Sequence, residues 1–272
     1  MELACLVNGE ISAWVPASDR GLAYGDGVFE TLVVEAGRPR FWQAHMDRLA
    51  KGCEVLGMAV PEQRVLLREV QTVAAGAPRC VVKIVVTRGS GGRGYAVPES
   101  SNPLRVVAAY EYPTAVEQAQ RAGVQARVCS LRLALQPALG GIKHLNRIEQ
   151  VLASAEMAAY PGLEGILLNQ EEFLVSAISA NLFLVCGQAL LTPRMDRSGV
   201  RGVVRNLVLR DFKARAELRR ITLDMLDEAD EVFMCNSVRG VIPITAIDAR
   251  QWRIGPVTRE MQEWFARRKE AV

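Results

Sequence analysis

The chain reads Gly140-Gly141-Ile142-Lys143-His144-Leu145-Asn146-Arg147 immediately before a segment with helical periodicity. The apolar residues of this segment fall on one helix face: Leu145, Ile148, Val151, Leu152, Ala155 and Ala159. The two glycines provide a flexible turn, so the amine of Lys143 can be directed into a cleft instead of toward water. A lysine beside a helix is usually a solvated side chain, whereas a lysine held in a cleft is a candidate nucleophile toward carbonyl groups.

The length, hydrophobic content and charge balance of the chain limit the classes of protein to which it can belong. The 272 residues suit one large domain or two ordinary ones, and 50% of them are hydrophobic, which is enough for a substantial core. The 33 basic and 30 acidic residues form no long run of one sign, which argues against nucleic acid as a partner. No apolar stretch approaches membrane-spanning length, and no secretory signal follows Met1. We therefore expect a cytoplasmic protein that does not act at a membrane.

Six cysteines are scattered along the chain: Cys5, Cys53, Cys80, Cys129, Cys186 and Cys235. They form no C-x-x-C pair, and the chain has only two histidines. This pattern indicates reduced thiols in a core instead of a disulfide framework, and it leaves no credible metal site.

The order of predicted elements indicates an α/β (α+β) chain of two domains. The first third is rich in strands, because Asn8-Gly9 is a strong hairpin signal and residues 28–35 form a β-branched run. Pro113 and its polar neighbours mark a boundary. We predict a domain over residues 1–111, a linker over 112–122 and a second domain over 123–272 that contains Lys143. Ligands tend to bind between such domains.

A glycine-rich segment, Gly89-Ser90-Gly91-Gly92-Arg93-Gly94, matches the G-x-G-x-x-G dinucleotide fingerprint but lacks its context. The fingerprint needs a helix that opens on the last glycine, whereas residues 95–103 contain two prolines and begin no helix. The glycines can instead give backbone freedom to Arg88, Arg93 and Tyr95, which would then reach an acidic ligand. An ordinary glycine-rich hairpin loop is an equally good interpretation.

A phosphate-binding cradle is predicted where Gly199 and Gly202 lead into a helix. The free backbone amides at a helix start, here those of Val203 and Val204, form a natural anion site. Two side chains elsewhere can add a counter-charge and a hydroxyl: Arg48 and Ser237. Together with Lys143, these groups supply what a phosphorylated aldehyde cofactor such as pyridoxal 5'-phosphate requires.

Several segments, in order along nearly the whole chain, resemble the fold-type IV pyridoxal phosphate enzymes: residues 18–31 (SDRGLAYGDGVFET), 45–49 (HMDRL), 179–183 (SANLF) and 202–205 (GVVR). This family includes branched-chain and D-amino-acid aminotransferases and aminodeoxychorismate lyases. Residues 87–95 and 141–152 are similar to the lyase branch. The resemblance implies a smaller N-terminal α/β domain, a larger C-terminal mixed, barrel-like domain, a cofactor at the domain interface, and a homodimer.

The resemblance also implies roles for individual residues. Lys143 would carry the imine with pyridoxal phosphate. The phosphate would be held by one guanidinium, two backbone amides and one hydroxyl: Arg48, Val203, Val204 and Ser237. The implied reaction converts 4-amino-4-deoxychorismate to 4-aminobenzoate and pyruvate, a step toward folate. Lys143 would take the proton from C4 of the substrate, and Lys143 or Thr31 would protonate the departing fragment.

The implied substrate is a small dicarboxylate, so basic and polar side chains are expected around it: Arg88, Arg93, Tyr95, Asn146 and Arg147. Arg147 favours a dianionic ligand, because aminotransferase relatives often have an aromatic or aliphatic residue in its place. Alternatively, Arg147 forms a structural ion pair with Glu149 or Glu172. His45 is expected to pack or to form a hydrogen bond, and a structural role is favoured for His144.

One position departs from the family pattern. A glutamate usually lies five residues before the asparagine matched by Asn181, where it keeps the pyridine nitrogen protonated. This chain has Ser176 there, and Glu171 and Glu172 lie earlier, at an apparent turn. We predict that Ser176 faces the nitrogen, which is then less fully protonated. Elimination driven by aromatisation tolerates this better than transamination does, so a lyase is favoured over an aminotransferase; a catalytically degenerate, cofactor-binding protein is the remaining alternative.

Overall fold

The computed structural model describes residues 1–91, 94–99 and 102–270. The chain divides into two compact units. Among the described residues, the first unit consists of residues 1–113 together with residues 142–146, and the second consists of residues 114–141 together with residues 147–270.

The first unit is built on a six-stranded sheet with the strand order β2-β1-β6-β5-β3-β4, in which each neighbouring pair is antiparallel. Its elements are β1 (Glu2–Val7), β2 (Glu10–Ile11), α1 (Arg20–Tyr24), β3 (Gly27–Glu35), β4 (Arg38–Pro39), α2 (Trp42–Val55), α3 (Gln63–Val73), β5 (Arg79–Thr87) and β6 (Leu104–Glu111). The hairpin predicted at Asn8-Gly9 is confirmed, since both residues have the positive φ angles, 52° and 90°, that such a turn requires.

One face of this sheet packs against helices. The α2 stripe, made of the apolar residues Met46, Leu49 and Cys53 at helical spacing, is buried in a core that also contains Leu32 of β3 and Val82 of β5. Strand side chains alternate between faces, so neighbouring residues of β3 and β5 point away from these helices. This alternation decides which side chains of the first unit remain available for chemistry.

The second unit is built on a nine-stranded mixed sheet with the order β12-β11-β10-β13-β14-β7-β8-β9, and β15 pairs with β14. Its elements are α4 (Val116–Ala122), β7 (Val124–Leu133), α5 (Ile148–Met157), β8 (Glu164–Asn169), β9 (Leu174–Ala177), β10 (Asn181–Cys186), β11 (Ala189–Pro193), α6 (Val203–Asp211), β12 (Ala216–Arg219), a 3-10 helix (Asp224–Glu228), β13 (Glu231–Asn236), β14 (Gly240–Ile247), β15 (Arg250–Gln251) and α7 (Pro256–Glu270). The sheet curls so that β9, at one end of the hydrogen-bonded order, returns beside β10 and β11, which gives the barrel-like character that was expected.

The unit boundary differs in two ways from the sequence-based division. In the structure, the boundary falls after Pro113. Residues 116–122, which belong to the predicted linker, form α4 within the second unit. Residues 142–146, which include Lys143, group with the first unit instead of the second. The reason is a strand-like pairing of this segment with the start of β3, which no local sequence pattern reveals.

Candidate active site

The backbone of Lys143 is fixed to the start of β3. The amide of Phe29 donates a hydrogen bond to the carbonyl of Lys143 at 3.0 Å, and the amide of Leu145 donates to the carbonyl of Gly27 at the same distance. Val28 and His144 form an antiparallel bridge between the two segments. The bridge holds Lys143 in one place relative to β3, and the structural role favoured for the His144 side chain stays a prediction.

The side chain of Lys143 lies over an aromatic ring. Its Nζ is 4.0 Å from the ring centroid of Phe29, a cation–π distance. Thr31 is two residues further along β3, so its side chain is on the same face of the strand as Phe29. The structure therefore brings together the two residues predicted to handle protons, Lys143 and Thr31, on one face of the first unit.

Arg48 belongs to a buried cluster with Glu30 and His45. Its Nε and Nη2 donate to the carboxylate of Glu30 at 2.8 and 2.5 Å, and Nδ1 of His45 lies 2.6 Å from the same carboxylate. Glu30 and His45 are 1% and 0% exposed. The expected hydrogen-bonding role of His45 is confirmed. The charge of Arg48 is already compensated by Glu30, a partner that sequence reasoning missed.

Electrostatics in this cluster favour an ionised Glu30 and a neutral His45. Burial alone would raise the pKa of Glu30, but attraction and hydrogen bonds from Arg48, with a further hydrogen bond from His45, outweigh it and lower the pKa to about 2. Burial lowers the pKa of His45, and the nearby charges of Arg48 and Lys143 act in the same direction, against the attraction of Glu30. His45 and Arg48 are three residues apart on one helix face, which was the available sequence signal.

Arg88 is not positioned to hold a ligand, which corrects the sequence-based prediction. Its side chain is buried and makes four hydrogen bonds, two to the carboxylate of Asp26 and two to the carbonyls of Leu56 and Gly57. Asp26 also accepts a hydrogen bond from Arg20. Burial would raise the pKa of Asp26, but hydrogen bonds from Arg88 and Arg20 lower it below its usual value. Arg88 is a structural residue of the first unit.

The glycine-rich loop is anchored by Arg20, which the sequence did not single out. Arg20 donates to the carbonyl oxygens of Gly94, Tyr95 and Ala96. The ring of Tyr95 is exposed and lies 5.3 Å from that of Tyr24. No helix follows the glycines within residues 94–99, in agreement with the rejected dinucleotide fingerprint. Arg93 lies outside the described residues, so its predicted role stays a prediction.

Asn146 and Arg147 occupy the junction before α5. The Nδ2 of Asn146 donates to the carbonyl of Gly25 at 3.1 Å, within the first unit. Arg147 immediately precedes α5 and is half-buried, and burial lowers its pKa. The attraction of Glu149 acts against this shift of the Arg147 pKa, and the Glu149 carboxylate also accepts a hydrogen bond from the amide of Ala134, whereas Glu172 pairs with Arg132. Substrate binding by Asn146 and Arg147 stays a prediction.

The start of α6 has the form of the predicted cradle. Gly202 caps the helix without a side-chain hydrogen bond, which leaves the first amides, those of Val203 and Val204, pointing out of the helix end. A Cβ on residue 202 would overlap the side chain of Asn181, which in turn donates to the carbonyl of Val200 at 2.9 Å. Glycine is thus required at this helix start, and Asn181 of β10 holds the preceding loop.

Two further predicted residues lie at strand ends of the second unit. Ser237 follows β13 in a turn where Oδ1 of Asn236 accepts hydrogen bonds from the amides of Val238 and Arg239. Ser176 is a half-buried residue of β9, opposite Leu167 of β8. The turn predicted at Glu171 and Glu172 is confirmed; these carboxylates pair with Arg197 and Arg132. Neither glutamate replaces Ser176 in β9.

The described part of the chain shows no metal cluster, membrane-spanning helix or disulfide. It contains no cluster of three or more metal-ligating side chains. No helix in it is both long and apolar enough to span a membrane. The six cysteines are free thiols, and four of them are buried.

Comparison with known proteins identifies the family. Residues 27–247 match the family described as amino-transferase class IV, and the chain belongs to this family. It is 36% identical to an aminodeoxychorismate lyase from Vibrio harveyi over 94% of this chain and 97% of that protein. It is 30% identical to a putative branched-chain-amino-acid aminotransferase from Methanocaldococcus jannaschii, over 94% of this chain and 91% of that protein.

A solved structure gives the same result in three dimensions. The 4-amino-4-deoxychorismate lyase from Pseudomonas aeruginosa superposes with a TM-score of 0.90 at 40% identity, covering 96% of this chain and 97% of that one. The expectation of a two-domain fold-type IV enzyme is confirmed. The resemblance of residues 87–95 and 141–152 to the lyase branch agrees with both lyase matches.

Proposed function

We propose that this chain is a pyridoxal-phosphate-dependent lyase that converts 4-amino-4-deoxychorismate to 4-aminobenzoate and pyruvate, a step toward folate. The observation that carries the proposal is similarity over nearly the full length to two proteins with this lyase name, at 36% and 40% identity. The amine of Lys143, held over Phe29, is the group on which such chemistry depends.

The described residues fit the proposed cofactor. An aldehyde requires a primary amine, which Lys143 offers, and a phosphate requires N–H donors, which the uncapped start of α6 offers at Val203 and Val204. Ser237 and Arg48 complete the proposed phosphate-binding set. Arg48 is also paired with Glu30, which orients its guanidinium. When bound, pyridoxal phosphate supplies an electron-withdrawing ring next to the reacting carbon.

The chain's own groups provide the binding and the proton transfers. Nζ of Lys143 would hold the aldehyde of the cofactor, and the same amine, when not bound to the aldehyde, would take the proton from C4 of the substrate. The departing enolpyruvyl group needs a proton, which Lys143 or the hydroxyl of Thr31 supplies. Both lie on the Phe29 face of β3, which keeps the two transfers on one side of the strand.

Ser176 is the proposed partner of the pyridine nitrogen. Its hydroxyl can form a hydrogen bond but cannot stabilise a full positive charge as a carboxylate does. We expect Ser176→Glu to increase protonation of the ring nitrogen, to change the visible spectrum of the bound cofactor, and to raise transamination roughly tenfold for each pKa unit gained. Absorption spectroscopy and a single-turnover assay with an amino donor measure these effects. Ser176→Ala is the control, and a spectrum unchanged in the Glu variant would show that residue 176 does not face the nitrogen.

One assay separates the proposed function from its alternatives. Purified protein is mixed with pyridoxal phosphate, chorismate and a glutamine-dependent amination partner, and we expect equal amounts of 4-aminobenzoate and pyruvate. An aminotransferase, the function named for the Methanocaldococcus jannaschii relative, would instead convert the cofactor to its amine form with an amino donor, and a 2-oxo acid would restore the aldehyde. A protein that binds the cofactor but performs neither reaction would be catalytically degenerate.

We also propose a homodimer. The apolar stripe of α5 is exposed in the single chain: Ile148, Val151 and Leu152 are 64%, 58% and 54% exposed. The helix packs into its own unit through other residues, Ala153 and Met157. An apolar helix face of this kind is typical of a contact with a second subunit, and a second copy of this chain is the proposed partner.

Val151→Asp tests this dimer. A carboxylate placed in an apolar contact, twice by symmetry, is expected to raise the dimer dissociation constant about 100-fold or more, because each charge is desolvated without a partner. Light scattering across a dilution series measures the change. The same substitution at another exposed valine, Val60→Asp, is the control. A monomeric wild-type protein, or a Val151→Asp variant as dimeric as the control, would contradict this interface.

A cytoplasmic location is proposed as well. The support is the state of the cysteines, which are free thiols dispersed through both units. Reduced, unpaired cysteines are typical of proteins kept in a reducing compartment.

A further inference from the structure

Lys83 is the charged residue in the middle of an otherwise apolar stretch of β5, which reads Cys80-Val81-Val82-Lys83-Ile84-Val85-Val86. Val82 and Ile84 are 0% exposed and belong to the core under the helices. Because strand side chains alternate, Lys83 lies on the opposite face, where it is exposed. A cation at this position contributes nothing to the core, so its placement calls for another explanation.

Lys83 lies on the same face as the proposed reaction centre. It is the register partner of Thr31 in the neighbouring strand β3, so the two side chains project side by side. Its Nζ is 5.3 Å from the ring centroid of Phe29, and Nζ of Lys143 is 4.0 Å from the same centroid. Two lysine amines therefore share one aromatic ring beside Thr31.

This arrangement has an electrostatic cost in the absence of an anion. Two like charges that contact the same ring repel each other, and the ring offsets only part of that repulsion. Lys83 forms no ion pair with any carboxylate in the described parts of the chain. A ligand carboxylate beside Lys83 would relieve the repulsion while leaving the amine of Lys143 available.

We infer that Lys83 binds a carboxylate of the dicarboxylate substrate next to the amine of Lys143, an inference that rests on the proposed function. The cofactor phosphate is a poorer candidate for this position. The phosphate already has its own proposed ligands: Arg48, Ser237 and the first amides of α6. Arg88, which the sequence predicts to bind a carboxylate of the ligand, instead forms an ion pair with Asp26. Lys83 takes over that role in the first unit.

The test measures substrate recognition separately from turnover. Lys83→Met keeps the aliphatic stem and removes the charge, Lys83→Arg restores a charge, and Lys51→Met removes an exposed lysine of α2 as the matched control. Chorismate is the binding probe, because it carries both carboxylates but no amine with which to react. Calorimetry on the cofactor-loaded protein gives its dissociation constant, and 4-aminobenzoate release gives KM and kcat.

We expect Lys83→Met to weaken chorismate binding and to raise KM by about 10- to 100-fold, the size of one charge-assisted hydrogen bond, with a smaller change in kcat. Lys83→Arg should recover most of both losses, and added salt should reduce the difference from wild type. The inference is overturned if the wild-type protein does not bind chorismate, or if Lys83→Met behaves like Lys51→Met. Failure of the proposed function is distinct, because it appears as a wild-type protein that releases no 4-aminobenzoate.

Discussion

Lys143→Ala is expected to remove lyase activity, lowering kcat/KM by roughly 10³-fold or more, since the same amine binds the aldehyde and moves the C4 proton. The variant should also lose the visible absorbance of bound pyridoxal phosphate. Borohydride reduction of the wild-type protein followed by peptide mass spectrometry is expected to locate the cofactor on Lys143. The substitution is expected to remove the amine without disturbing the surrounding fold, because backbone hydrogen bonds to Gly27 and Phe29 hold this segment in place.

Two controls separate chemistry from structure in this experiment. Lys143→Arg retains a cation over Phe29 but cannot form the same linkage, so it is expected to fold as the wild type does and to stay colourless. Lys51→Ala removes an exposed lysine that pairs with Glu54 and should change neither colour nor rate. A Lys143→Ala protein that still takes up the coloured cofactor covalently, or borohydride labelling of a different side chain, would overturn the proposed function at its first step.

Local sequence signals predicted the elements of the first unit because their causes are local. The positive φ angles at Asn8 and Gly9 are set by residue type, and the α2 stripe of Met46, Leu49 and Cys53 follows from helical period alone. The phosphate cradle could also be predicted from the sequence, because Gly202 and the helix after it are contiguous in the chain. Motif resemblance extended these local signals to the family, and the family comparison confirmed it.

Local sequence patterns do not predict which groups the charged side chains pair with. Arg88 and Asp26 are 62 residues apart, and their pairing depends on β3 and β5 being neighbours in register. The same register places Lys83 beside Thr31. An arginine in a glycine-rich loop resembles a ligand-binding arginine until the sheet is assembled. Pairing across a sheet requires long-range contacts that no short pattern contains, so the sequence alone reveals neither the partner of Arg88 nor the position of Lys83.

Glu30→Gln is expected to destabilise the protein by about 3–5 kcal/mol at neutral pH, because it leaves the guanidinium of Arg48 partly buried without its compensating charge. The glutamine keeps the shape and one hydrogen-bond acceptor, so the loss reports the charge and not a cavity. Chemical denaturation of the cofactor-free protein measures the free energy of unfolding without contributions from ligand binding. Glu54→Gln, at an exposed ion pair on α2, is the matched control and is expected to behave nearly as the wild type.

The pH dependence of the same variant tests the cause. The pKa of Glu30 is lowered from 4.5 to about 2, so its contribution is fully present above about pH 4.5 and is lost as the pH falls toward 2. Burial also lowers the pKa of His45 below 6.5, so His45 adds stability above that pH that declines as the solution becomes more acidic. The wild type should therefore lose stability on acidification, whereas Glu30→Gln, which lacks the carboxylate, should lose less below pH 4.5. Parallel curves for the two proteins across this range would mean that Glu30 is not ionised in the folded chain, and that Arg48 carries an uncompensated charge toward the phosphate after all.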